Sequence, residues 1–128
     1  MSEQFEVVAG AGTFRKDAGV RFPHRWTEEG VSVETAFTGG HLLNLAAAGC
    51  VLNDLYREAA NLGIALAGVR VAAVGGFDTE TWQSTGITYT VELDSAVPQE
   101  ELDRLLVIVD EVAEIPRALR AGTAVRRG

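Results

Sequence analysis

One stretch limits the possible folds more than any other. From His41 to Leu62 nothing breaks a helix, and Gly63 stands where a left-handed cap belongs. The first half, with Leu42, Leu43, Leu45, Ala46, Ala47, Ala48, Val51 and Leu52, is apolar on nearly every side and is interrupted only by Asn44. The second half gains a polar face in Asn53, Asp54, Arg57, Glu58 and Asn61. A helix apolar all round is expected to be buried all round. Its span of about 33 Å exceeds what a domain with a radius of gyration near ~14 Å covers easily. A second subunit is therefore expected to help cover it.

The rest of the chain is arranged around this helix. Before it, Phe5, Val7 and Val8 start a strand, and Gly10-Ala11-Gly12 signals a turn. Val20, Phe22 and Trp26 form a second run, bent at Pro23. Val31, Val33, Thr35 and Phe37 alternate as a third strand. Together they predict a small antiparallel meander, with Thr38 as a possible helix cap. After the helix, residues 64–77 and 86–94 predict a hairpin, the first arm closed by Gly75-Gly76 and a loop over Asp78–Thr85. Leu102, Leu105, Leu106, Val109 and Val112 mark an amphipathic helix that begins behind Pro98 and ends near Glu114. Ile115-Pro116 breaks it. A short helix over Pro116–Arg120 and a final strand over Thr123–Val125 close the chain. The order predicts one α+β domain over residues 1–128.

Charge and cysteine content narrow the function classes. Lys+Arg is 11 and Asp+Glu is 18, a net charge of −7. So acidic a chain argues against nucleic-acid binding and against docking on anionic membranes. The single cysteine, Cys50, excludes an intrachain disulfide and a Cys-rich zinc site. It fits a reducing compartment. Met1 to Gln4, with Glu3 and Glu6 nearby, holds no apolar signal core, and no apolar run reaches the ~20 residues that span a bilayer. A cytoplasmic location is expected.

Most chemical motifs fail on spacing. Gly10-Ala11-Gly12 lacks the third glycine and following helix of a phosphate loop. Asp94-Ser95 with His24 or His41 lacks the hydrolase elbow. His24 and His41 lack metal-ligand spacing with Cys50, so neither metal nor cofactor is expected. His41 reads as part of the helix start, and Arg126-Arg127 as a solvated tail. Cys50 reads locally as a small buried hydrophobe, although its small neighbours leave room beside the sulfur. A reactive thiol needs a cation or a helix N-terminus. Cys50 lies nine residues past His41, out of reach of its own helix dipole, so an arginine from elsewhere would have to serve it.

Leu43-x-x-Ala46-Ala47-x-x-Cys50, Gly63-Ile64 and Ile115-Pro116-Arg117-Ala118-Leu119, in this order from about Val31 to Val125, resemble the OsmC/Ohr family of organic hydroperoxide resistance and osmotically induced proteins. The resemblance implies an intertwined homodimer with two long helices at its centre. It also implies thiol peroxidase chemistry: the helix cysteine is oxidised by an organic hydroperoxide, a second cysteine resolves it, and an arginine and a glutamate organise the thiolate. Cys50 matches the attacking cysteine. Ile115 stands at the resolving position and Gly40, beside His41, at the glutamate position. Arg21 or Arg25 would supply the arginine, and His41, Leu43, Ala46, Ala47 and Ile115 would line the substrate pocket. Without a second cysteine, an external thiol would have to reduce Cys50, which would otherwise over-oxidise. Two readings follow. One is a single-cysteine peroxidase of apolar hydroperoxides. The other is a dimer that has lost catalysis and binds a small hydrophobic ligand.

Overall fold

Eleven-residue strands can lie side by side only if the chain returns on itself, and three such strands do so here. In the computed structural model, which describes residues 2–128 with side chains from residue 4 onward, β1 (Ser2–Gly12) pairs antiparallel along its whole length with β4 (Gly68–Asp78). Met1, the head of the segment read for a secretory signal, lies outside the described residues. On the far side of β4 runs β5 (Ser84–Asp94). On the far side of β1 lies β3 (Val31–Glu34), followed by β2 (Val20–Phe22) at the edge. The sheet order is β2-β3-β1-β4-β5.

This order corrects the expected meander. β1 pairs with β3 and β4, not with its sequence neighbour β2, because the most apolar strands take the centre. Gly10-Ala11-Gly12 ends β1 rather than forming the turn: all three pair with β4 and Gly10 also with β3, and the turn follows where the Phe14 and Arg15 N–H groups donate to Ala11 and Gly12. Gly75-Gly76 likewise continues β4 to Asp78. Only residues 79–83 turn between β4 and β5, so the hairpin stands with shifted ends.

Helix α1 (Gly39–Leu62) crosses the face formed by β1 and β4. Thr38 caps it: its Oγ1 accepts the His41 N–H at 3.1 Å. Gly63 ends it with φ 70°, its N–H donating to Ala60 and that of Ile64 to Ala59, a Schellman closure. This closure holds Ile64 buried at the helix end, which is why β4 begins at Gly68 rather than at residue 64. Val51, Leu52 and Leu55 meet Val7, Ala9, Val69 and Val71 in the core. Burial is one-sided in the single chain: Ala46 and Leu42 are exposed, so the helix is not covered all round.

Helix α2 (Gln99–Val112) buries Leu102, Leu105 and Val109 against α1, and α3 (Glu114–Ala121) follows after one residue, the fully buried Ala113. Pro116 sits in the first turn of α3, where its missing N–H costs nothing. The expected strand over Thr123–Val125 does not form. The sheet edges are β2 and β5, no strand pairs with these residues, and Val125 is 90% exposed. Among the described residues, no helix is long and apolar enough to cross a membrane.

Asn44 is the polar exception inside the apolar half of α1. It is 2% exposed, and its Nδ2 donates to the carbonyls of Phe5 (2.7 Å) and Gly75 (3.2 Å), which face each other across β1 and β4. Replacing Asn44 by Ala removes both bonds and leaves a small void. The expected cost is about 2 kcal/mol, read as a lower urea midpoint at unchanged m-value. An unchanged midpoint would mean that the bonds do not hold the helix to the sheet.

Candidate active site

Helical spacing places Cys50, Asp54 and Arg57 at i, i+4 and i+7, on one face of α1. The start of α3 lies against this face. The Cys50 thiol donates to Glu114 Oε2 at 3.3 Å and approaches Asp54 Oδ2 at 3.9 Å. Arg57 holds the other oxygen of the same Glu114 carboxylate, Oε1, at 3.1 Å. It also binds Asp54 at 3.2 Å and Glu58 at 3.0 Å. One guanidinium therefore serves three acids, and the thiol leans on two of them.

The electrostatics follow from this crowding. Burial pushes the Cys50 thiol above its ordinary range. The backbone N–H of Ile115, in the first turn of α3, pulls it back, while the Glu114 and Asp54 carboxylates push it further up. The two acids move in opposite directions. Desolvation raises Asp54, which is 3% exposed, against the opposing pull of Arg57. The hydrogen bonds from Arg57 and then Cys50 lower Glu114. Near neutral pH the thiol keeps its proton and Glu114 is ionised.

The residues expected at the site are distributed differently. Arg21 is engaged by Glu29 at 3.3 Å, and Arg25 lies over the Trp26 ring at 5.5 Å. The arginine of the Cys50 cluster is Arg57. Gly40, which stands at the glutamate position of the resemblance, has no room for a side chain in this packing, because a Cβ there would lie 2.6 Å from the Phe5 ring. His41 bonds Thr38 Oγ1 through Nδ1 at 2.7 Å and meets the Phe5 ring edge-on, and His24 bonds Thr27 and Asn53, so neither histidine joins Cys50. Ile115 does lie beside Cys50, through its backbone. Leu43 is half-buried and Ala46 exposed, while Ala47 is buried and lines a separate cleft with Tyr89 and Pro116. Cys50, Asp54 and Glu114 bring ligand-type atoms within 4.8 Å of one another, but the charge they meet is that of Arg57. The i, i+4, i+7 spacing could have revealed Asp54 and Arg57. Glu114, 64 residues from Cys50, left no local signal.

Comparison with known proteins agrees with this architecture. A family model described as OsmC-like protein matches residues 32–126. A crystal structure of an OsmC-like hydroperoxide resistance protein from Jannaschia sp. CCS1 superposes with a TM-score of 0.65 at 12% identity, covering 97% of this chain and 91% of that one. No curated protein matches the sequence.

The carboxylate of Glu114 both accepts the thiol proton and repels the thiolate, so Glu114→Gln is expected to lower the Cys50 pKa. Iodoacetamide alkylation at pH 8 then rises several-fold, because the thiolate is the nucleophile. In the parent protein, alkylation should keep rising with pH beyond the range of an ordinary thiol. An alkylation profile that Glu114→Gln does not move would remove Glu114 from the electrostatics of the thiol.

Proposed function

Because the chain belongs to the OsmC-like protein family, its match spanning residues 32–126, we propose that it reduces organic hydroperoxides through the thiol of Cys50, with an external thiol as reductant. The observation that carries this reading is the shared carboxylate: Cys50 bonds one oxygen of Glu114 while Arg57 bonds the other. A glutamate from the head of α3 thus stands beside the thiol, and an arginine from the second half of α1 holds that glutamate from behind. The fold neighbour's description as a hydroperoxide resistance protein supports the same substrate class.

The chemistry is written on this chain's own groups. Glu114, fixed by Arg57, orients the thiol. The proton passes to Asp54, whose raised pKa suits it to accept. The sulfur lone pair attacks one peroxide oxygen, the O–O bond breaks, and the alkoxide leaves with the bonding pair and takes the proton from Asp54. Sulfur is oxidised from thiol to sulfenic acid, and the hydroperoxide is reduced to an alcohol. Arg57 offers positive charge to the developing alkoxide. With one cysteine in the chain, two equivalents of external thiol return Cys50 to the thiol, releasing water and a disulfide. Such thiols are plentiful in the cytoplasm, where we place the reaction. A homodimer is the proposed working form. Phe37, 90% exposed, and the uncovered Leu42 flank of α1 are the surfaces a second copy would cover.

Cumene hydroperoxide at stoichiometric amount should add one oxygen to Cys50 by intact mass, reversed by dithiothreitol and absent in Cys50→Ser. Excess peroxide without thiol should drive Cys50 to the sulfinic acid. Arg57→Gln should slow the oxidation about tenfold or more at fixed pH. A thiol inert to cumene hydroperoxide up to pH 9 would sink the peroxidase reading. Sedimentation at twice the mass of one chain is the expected assembly, and a monomer at micromolar concentration would refute the dimer.

A further inference from the structure

A second cavity lies on another side of α1, and its composition is unlike the rest of this acidic molecule. About 310 Å³ of space opens between α1 and the segment that runs from β2 past Trp26. The volume lies at the small end of ligand pockets. Phe22, Trp26, Val33, Leu45 and Leu52 supply apolar walls. The chain holds 18 acidic residues, yet none lines this space. The one residue there that is always charged is Arg25.

Arg25 differs from five of the ten arginines of the chain. Arg15, Arg21, Arg57, Arg70 and Arg120 each bind a carboxylate. Arg25 has no carboxylate partner among the described residues, and its guanidinium lies over the Trp26 ring. Stacking on an aromatic face leaves the N–H fork free, a geometry suited to a carboxylate.

Gly49 gives a separate argument. It sits inside α1, where glycine costs stability relative to alanine. Its φ is not positive, and a Cβ built on it would meet nothing within 4 Å. Neither backbone conformation nor crowding within the chain requires a glycine here. Gly49 does line the cavity, and any side chain at this position would project into open space beside Leu45 and Leu52.

We propose that this cavity binds a small organic acid with an apolar body, the body lying along Trp26, Leu45 and Leu52 and the carboxylate held by Arg25. The site is separate from the thiol cluster. Cys50 does not line it, and one residue of helix, about 100°, turns the thiol away from Gly49. Binding is non-covalent and independent of the peroxidase reading.

The test uses octanoate and its neutral counterpart 1-octanol on the full chain, read by the indole N–H signals of ¹⁵N-labelled protein. Trp26 lines the cavity, and Trp82, in the β4–β5 turn, serves as an internal control; Trp82→Phe assigns the two signals. Octanoate should shift Trp26 saturably and leave Trp82 in place, with 1-octanol about tenfold weaker. Arg25→Gln should reduce octanoate to the level of the alcohol. Gly49→Leu should abolish binding while the Trp82 signal and the spectral dispersion persist. Cys50→Ser should leave binding unchanged, so failure here and failure of the thiol chemistry are distinguishable. Equal affinity for acid and alcohol, or a preference that survives Arg25→Gln, would overturn the proposal. A Trp26 signal that ignores octanoate but moves on dilution would assign the cavity to a second copy of the chain, and would also overturn it.

Discussion

The rotational setting of α1 on the sheet governs everything else in this molecule, and Asn44 fixes it. An apolar helix surface can slide on an apolar sheet at little cost, since hydrophobic contact is non-directional. A side-chain amide bonded to two facing strand carbonyls cannot slide. With Asn44 pinned over Phe5 and Gly75, the periodicity of the helix assigns every other residue its direction. Val51 and Leu55 go to the core, Leu45, Gly49 and Leu52 to the β2 side, and Cys50, Asp54 and Arg57 to the head of α3.

The thiol cluster is more than an arginine placed near a cysteine. Arg57 is spread over Asp54, Glu58 and Glu114, so the sulfur feels acids more than it feels the cation. The N–H of Ile115 is the group that favours the thiolate, and it comes from another helix's first turn, where such groups have no partner of their own. A resting thiol that holds its proton is slow to react with adventitious oxidants. Its reactivity then depends on moving one proton within the cluster.

Much of the fold was legible because its signals are local. Thr38, Gly63 and the unbroken run between them delimit α1. Alternation from Ile87 to Leu93 marks β5, and the spacing from Leu102 to Val109 marks α2. What escaped was non-local. The insertion of β1 between β3 and β4 depends on which strands bury most, and the pairing of Gly10-Ala11-Gly12 within β1 depends on partners up to 60 residues away. The site divides in the same way. Cys50 is visible as the only cysteine, and Asp54 and Arg57 follow from helical spacing, but Glu114 meets them only through tertiary packing. The resemblance to hydroperoxide-resistance sequences directed attention to Arg21, Arg25 and Gly40, whereas the charged groups around the sulfur, Asp54, Arg57 and Glu114, all lie beyond Cys50.

Ala113 carries a further consequence. It is at once the last cap of α2 and the first of α3, and it is fully buried. With one residue between the two helices there is no slack, so Glu114 is phase-locked to the seam formed by Leu102, Leu105 and Val109. One residue more or less in α2 would swing the Glu114 carboxylate about 100° around the axis while leaving the helix itself intact. The loop between these helices thus acts as a fixed gear tooth: its length sets the site, and its side chain merely seals the core.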